Sequence, residues 1–216
     1  MAFEVLDEHE QGELVQKWLR ENVLTILIGV GLGLVLIFGW QQWNTHRARH
    51  NIDAATQFDV LTGDADKKDF DAVKQIAEKL KTDYGDTPYA VLASMREAEF
   101  AVQRADLDGA RAGLDWAYQH AGIDALKALA GVRLARVELA RKKPQDALDL
   151  LAKLPPSAYT AQIGELRGDA LVALDRKAEA RTAYSDALAN LDPNASNRAF
   201  VQMKLNDLGA AENKGS

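Results

Sequence analysis

Residues 166–193 read LRGDALVALDRKAEARTAYSDALANLDP, and this stretch decides the fold of most of the chain. Gly168 and Ala180 are small residues twelve positions apart, and the larger Tyr184 follows Ala180 by one helical turn. Two antiparallel helices joined by a short turn pack closely only where the side chains at their crossing are small. The spacing therefore predicts a helical hairpin.

The same twelve-residue spacing recurs twice upstream, and a weaker copy precedes both: Ala98 with Ala110, Ala135 with Ala147, and Val60 with Ala72. Three second small residues, Ala110, Ala147 and Ala180, follow one another at intervals of 37 and 33 residues. A single hairpin leaves one apolar face uncovered, so neighbouring hairpins must stack to complete the core. We therefore predict an all-α fold, a tetratricopeptide-like α-solenoid of helical hairpins.

The end of the chain predicts a C-terminal capping helix. Val201, Leu205 and Leu208 fall on one helical face, and Gly209 is expected to end the helix. Residues 210–216 are predicted to form a disordered tail.

An uncharged apolar stretch, VLTILIGVGLGLVLIFGW, occupies residues 23–40. It is long enough to cross a bilayer as a helix, and Trp18, Trp40 and Trp43 bracket it at interfacial depths. A buried core helix would carry a polar stripe and a cleaved signal peptide would begin with basic residues, and this segment has neither. We predict a transmembrane helix over residues 23–43.

The membrane segment divides the chain into an amphipathic N-terminal part, residues 1–22, and a repeat domain, residues 44–209. Two basic residues flank each side of the span, so charge counting does not orient it. Gly29 and Gly33 form a G-x-x-x-G pattern that favours close packing of a second helix, although glycine is also common in membrane helices generally.

The amino-acid composition argues against catalysis, metal binding and nucleic-acid binding. The chain has no cysteine, which excludes thiol catalysis, disulfides and thiolate metal sites. Its net charge is −6 without a clustered basic patch, which argues against nucleic-acid binding. No catalytic motif occurs, so we expect a non-enzyme without cofactor or metal.

Two motifs suggest metal binding at first sight. His46 and His50 are four residues apart, but without a third ligand they are better explained as a solvated interfacial pair. The aspartates of residues 64–71 fail the calcium-loop pattern, because Lys68 and Gln75 occupy ligand positions. Asp69 is predicted instead to cap a helix N-terminus.

The first helix of each hairpin is expected to line a groove that holds a helical or extended apolar segment of another protein. Positions counted from the small residues give eight candidate groove residues: Met95, Glu99, Val102, Val132, Arg136, Leu139, Asp169 and Val172. The alternative is that the apolar members belong to the core, which a register error of one residue would produce.

With this organisation, the chain resembles the YfgM-type inner-membrane proteins, the ancillary subunits of the bacterial SecYEG translocon. The resemblance rests on Trp18 in an acidic N-terminus, on the span ending in GWQQWN at 39–44, on RLARV at 133–137 and on LRGDAL at 166–171. It covers nearly the whole length.

The resemblance implies a single-pass bacterial inner-membrane protein with a cytoplasmic N-terminus and a periplasmic repeat domain. It also implies a non-catalytic adaptor that associates with SecYEG and a PpiD-like periplasmic chaperone and assists proteins emerging from the channel. The competing hypothesis is a cell-envelope scaffold that forms homo-oligomers through Gly29 and Gly33 and organises division or wall-assembly proteins.

Overall fold

The computed structural model describes residues 8–155 and 159–212, and every regular element in these ranges is an α-helix. In chain order the helices are α1 (Glu8–Asp66), α2 (Phe70–Asp83), α3 (Pro88–Gln103), α4 (Leu107–His120), α5 (Asp124–Ala140), α6 (Pro144–Leu151), α7 (Thr160–Ala173), α8 (Lys177–Asn190) and α9 (Arg198–Glu212). The all-α prediction is confirmed.

The chain divides into two compact units, Met1–His50 and Asn51–Ser216. The described part of the first unit lies entirely within α1, which begins at Glu8 and has no break between the amphipathic start and the apolar stretch. Among the described residues, α1 is the one helix long and apolar enough to cross a membrane. Its apolar side chains between Val15 and Trp43 are exposed.

The second unit is a stack of helical hairpins. The end of α1 packs against α2 through Leu61 and Val73, and α3–α4, α5–α6 and α7–α8 form three further hairpins. Four hydrophobic clusters hold the stack together, and each takes its side chains from successive helices along the chain. The core is therefore built from neighbouring elements only, as expected of a repeat protein.

The small residues lie where the helices of a hairpin cross. Ala98, Ala110, Ala135 and Ala147 are buried, and Tyr184 of α8 packs directly on Gly168 of α7. A Cβ atom at Gly168 would overlap the Tyr184 ring. The spacing that predicted the hairpins thus corresponds to their close approach.

The phase of the first hairpin differs from the sequence prediction. Val60 is 49% exposed, whereas the adjacent Leu61 is fully buried and packs with Val73. Leu61 and Val73 are twelve residues apart and lie 37 residues before Ala98 and Ala110. The first repeat therefore has the same geometry as the others, but its crossing positions hold larger side chains, which hid them from a search for small residues.

Each hairpin turns through one residue with a positive φ angle, and none of the four is glycine: Lys68, Ala105, Lys142 and Asp175. The next residue donates its backbone N–H to a carbonyl five residues earlier, as Asp106 does to Ala101 and Arg176 does to Leu171. This pattern is the Schellman C-cap. The turns recur at intervals of 37, 37 and 33 residues, so backbone conformation repeats even where the sequence does not.

The helix ends agree in part with prediction. Asp69 caps α2, because its carboxylate accepts the Ala72 N–H at 3.1 Å. Helix α9 closes the stack with Val201 and Leu208 buried, which confirms the capping helix. It continues to Glu212, however, beyond Gly209 where the sequence predicted its end, and residues 213–216 lie outside the described residues.

Candidate functional site

The second unit has two adjoining pockets, one lined by α3, α4 and α5 and the other by α5, α7, α9 and the α5–α6 turn. The α3–α5 pocket has a volume of about 380 Å³, and the α5–α9 pocket has about 670 Å³. Arg136 and Ala140 of α5 line both pockets. We call the two pockets together the groove.

The α3–α5 pocket has an apolar floor. Met95 and Leu114 are buried beneath it, whereas Val102 is 45% exposed at its side. Arg133 and Arg136, one turn apart on α5, add two guanidinium groups to the lining. An apolar surface beside positive charge is suited to a partner segment that carries apolar and acidic side chains.

The α5–α9 pocket is lined by residues of α5, α7 and α9, together with Lys142 and Pro144 where α5 turns into α6. Leu139 of α5 and Leu166 of α7 contribute apolar surface, and Phe200 of α9, which is 52% exposed, forms another side. Glu165 and Asp169 of α7 lie beside Lys204 of α9 in the same lining.

These charged groups are satisfied within the chain. The Lys204 Nζ donates to Glu165 Oε1 at 2.8 Å and to both Asp169 carboxylate oxygens at 2.8 and 2.9 Å. The Tyr184 hydroxyl donates to Asp169 Oδ1 at 2.7 Å. The Lys204 ammonium also lies 4.7 Å from the Phe200 ring centroid. The network joins α7, α8 and α9 and fixes the end of the groove.

The network shifts the pKa values of its members. Burial, together with the hydrogen bond to Asp169, raises the pKa of Tyr184 because both disfavour the phenolate. Burial alone would lower the pKa of Lys204, but its hydrogen bonds to Asp169 and Glu165 outweigh that effect and raise it. Lys204 is therefore a stable cation and Tyr184 a neutral donor at physiological pH.

The acidic and basic groups of the groove differ in their internal pairing. Glu99 accepts from Arg96 at 2.8 Å, and Glu165 and Asp169 are paired with Lys204. Within residues 8–155 and 159–212, Arg133 and Arg136 have no acidic partner and no side-chain hydrogen bond. The charge left for a partner is therefore positive.

The structure gives the eight predicted groove residues four different placements. Met95 is 2% exposed and Val132 3% exposed, so their side chains belong to the core, as the alternative explanation held. Glu99, Val102, Arg136 and Leu139 line the groove with surface exposed. Asp169 also lines the groove, but its carboxylate accepts hydrogen bonds from Tyr184 and Lys204. Val172, which is 40% exposed, lines neither pocket. A binding role for these residues remains a prediction.

Sequence reasoning missed two contributors from α9. Phe200 and Lys204 line the groove, although this helix was predicted only to cap the stack. They are four residues apart and so lie on the same side of the helix. This four-residue spacing, beside the buried Val201, is the sequence signal from which Phe200 and Lys204 could have been predicted as groove residues.

In the first unit, Gly29 and Gly33 lie within the apolar stretch of α1. A Cβ atom at either position would have no atom within 4 Å. Their role in helix packing remains a prediction. Among the described residues, no group of three or more His, Asp or Glu side chains is placed to hold a metal ion.

Comparison with known families gives one extended match. A family model described as a tetratricopeptide repeat-like domain matches residues 16–210. The match includes the hairpins and the whole apolar stretch of α1.

Curated relatives cover nearly the whole chain. A protein of Escherichia coli (strain K12) is 31% identical over 205 residues, covering 94% of this chain and 97% of its own. One from Haemophilus influenzae is 29% identical over 208 residues, 96% of this chain and 100% of its own. A third, from Neisseria gonorrhoeae, is 28% identical over 195 residues, 89% of each chain. All three are named ancillary SecYEG translocon subunit, and they give no support to the envelope-scaffold hypothesis.

Proposed function

We propose that this chain, which belongs to the tetratricopeptide repeat-like family of ancillary SecYEG translocon subunits, is a non-catalytic membrane-anchored adaptor of the SecYEG translocon. The observation that carries the proposal is the 31% identity to the E. coli ancillary subunit over almost the full length of both chains. Such coverage includes the apolar segment as well as the repeats. We therefore propose the membrane anchor and the adaptor role together.

The proposed topology is a single pass through the bacterial inner membrane. Residues 1–22 are assigned to the cytoplasm, 23–43 to the membrane, and the repeat domain, from residue 44 to the end of α9, to the periplasm. The exposed apolar side chains of α1 support the span, because such a surface requires lipid or a protein partner. Anchoring confines the groove to the membrane surface, which raises its effective concentration near the channel.

The groove is the proposed partner site. The partner is a PpiD-like periplasmic chaperone, a protein emerging from the channel, or both in turn. Val102 and Leu139 supply apolar contact area, while Arg133 and Arg136 supply charge that no acidic group of the described chain neutralises. The preferred segment is therefore apolar with at least one acidic residue.

Isolation of the full chain in mild detergent tests the adaptor role. The expected result is co-isolation of SecY, SecE and SecG together with a periplasmic chaperone. Recovery of the chain alone, or only as a homo-oligomer, from membranes that contain intact translocon would contradict the proposal.

A matched pair of variants tests the groove. Val102→Glu places a charge in the α3–α5 pocket, and Val60→Glu makes the same change at similar exposure outside both pockets. We expect V102E to abolish photo-crosslinks from position 136 to periplasmic partners, and V60E to leave them unchanged. Loss of helical circular dichroism in V102E alone would mean that Val102 is a core residue; equal crosslinking in both variants would remove the groove from the proposal.

A further inference from the structure

The charge around the apolar segment is distributed unequally. On the N-terminal side, Lys17 and Arg20 lie among acidic residues, including Glu13 and Glu21. On the C-terminal side, no Asp or Glu occurs between Glu21 and Asp53, whereas residues 46–50 read HRARH. One flank thus has mixed charge, and the other has only basic and neutral side chains.

Helix geometry collects most of this second flank on one face. At about 100° per residue, Trp40, Trp43, His46, Arg47 and His50 fall within an arc of about 120°. Gln41, Thr45 and Ala48 lie on the opposite side of α1 and carry no charge, and Arg49 also lies outside the arc, about 160° around the helix from Arg47. The helix therefore has a sided array in which two indoles are followed by a His-Arg-His cluster.

Contacts within the array are consistent with an interfacial site. The Trp40 and Trp43 rings are 5.4 Å apart and both are exposed, and the Arg47 guanidinium carbon lies 5.8 Å from the Trp43 ring centroid. Indole rings prefer the boundary between acyl chains and headgroups. Arg47 is four residues, or about 6 Å, further along the helix, which is the depth of the phosphates when the indoles sit at the boundary.

We infer that residues 40–50 form a binding site for the headgroup of an anionic phospholipid. Arg47 contacts its phosphate, and the imidazoles of His46 and His50 on the same face add N–H donors. Trp40 and Trp43 hold the segment at the interface, and Arg49, on the other side of α1, adds positive charge at the same depth. This inference rests on the membrane span of the proposed function.

The absence of acidic side chains from the segment specifies the lipid class. A zwitterionic headgroup presents an ammonium group beside its phosphate, and a carboxylate would be required to pair with it. None is available between Glu21 and Asp53, so the ammonium would lie among arginines. A lipid with net negative charge, such as phosphatidylglycerol, meets no such repulsion.

Native mass spectrometry of the full chain, released from mixed phosphatidylglycerol and phosphatidylcholine nanodiscs, tests the site. We expect retained lipid to be enriched in phosphatidylglycerol relative to the bulk mixture, and Arg47→Gln/Arg49→Gln to reduce that enrichment about tenfold. Lys17→Gln/Arg20→Gln is the matched control, since it removes the same charge from the other flank and is expected to retain the enrichment.

Four outcomes would overturn the inference. Unchanged enrichment in R47Q/R49Q would show that the segment does not select the lipid. Equal loss in R47Q/R49Q and K17Q/R20Q would show a response to net charge and not to this site. Extraction of the wild-type chain from membranes by alkaline carbonate would refute the span itself, whereas a retained but unselective chain would refute only the lipid site.

Discussion

The apolar side chains of α1 before His50 and those of the hairpins have opposite surroundings. Between Val15 and Trp43 the leucines, isoleucines, valines and tryptophans are exposed, whereas in the second unit leucine, valine and alanine fill four successive clusters. Both regions are helical and rich in apolar residues. What separates them is whether the chain itself provides the covering surface.

Glycine shows the same contrast. Gly168 is packed so closely that a Cβ atom would overlap Tyr184, while a Cβ atom at Gly29 or Gly33 would meet no described residue within 4 Å apart from the backbone of α1 itself. The small residue at the α7–α8 crossing therefore serves a contact within the repeats, whereas the packing role of Gly29 and Gly33 remains a prediction. The following predictions test this difference, from the largest expected effect on stability to the smallest.

Gly168→Val is expected to lower the free energy of unfolding of the repeats by about 3 kcal/mol, because the new side chain cannot coexist with the Tyr184 ring. Thermal unfolding of the full chain in detergent, followed by circular dichroism, measures the effect. Gly63→Val is the control, since a Cβ at Gly63 has no atom within 4 Å. Equal unfolding temperatures for G168V and G63V would contradict the close crossing of α7 and α8.

The repeats are expected to lose stability as the pH rises above about 10. The pKa values of Tyr184 and Lys204 are raised in the folded chain, so the folded state holds protons that the unfolded state releases from about pH 10 upward. Urea unfolding at a series of alkaline pH values measures the slope. Tyr184→Phe should make the fall in the free energy of unfolding with pH shallower. An identical slope in this variant would show that the Tyr184–Asp169 hydrogen bond does not contribute to the pH dependence.

Ala105→Gly is expected to stabilise the repeats by about 0.5–1 kcal/mol, because Ala105 has a φ of 58° in the turn between α3 and α4. Chemical denaturation gives the difference. Ala112→Gly, at an exposed position inside α4, should instead destabilise by about 1 kcal/mol. The opposite signs separate turn strain from the general effect of glycine, and destabilisation by A105G would contradict the left-handed turn.

Gly29→Ile/Gly33→Ile is expected to change the free energy of unfolding of the repeats by less than about 0.5 kcal/mol. The same double variant is expected to reduce co-isolation of membrane partners, because any helix packed on this face would be displaced. Unfolding temperature and detergent pull-down are measured on one preparation. Full retention of partners would show that these glycines face only lipid.

Much of the fold could be predicted because small residues and apolar length are direct physical signals. Gly168 and Ala180 located α7–α8, and Asp69 located the start of α2. The first repeat was assigned one residue out of phase because Leu61 and Val73 occupy its crossing. Large side chains at those positions resemble any other core residue until the partner helix is known.

The groove was less accessible to sequence reasoning for a different reason. A first-helix residue such as Met95 can face the pocket and the core at once, and only the packing of α4 and α5 determines which surface remains. The pairing of charged side chains is equally non-local, because the Asp169 carboxylate is neutralised by Lys204, 35 residues later in the chain. Its carboxylate looked available in the sequence and is occupied in the folded chain.

Because each hydrophobic cluster draws only on successive helices, the domain can change length in whole-hairpin steps. An inserted hairpin would add its own hydrophobic cluster and its own left-handed turn. Deletion of a hairpin would require only that α9 pack on the preceding helical hairpin. Evolution could therefore adjust how far the groove extends without redesigning the residues already in place.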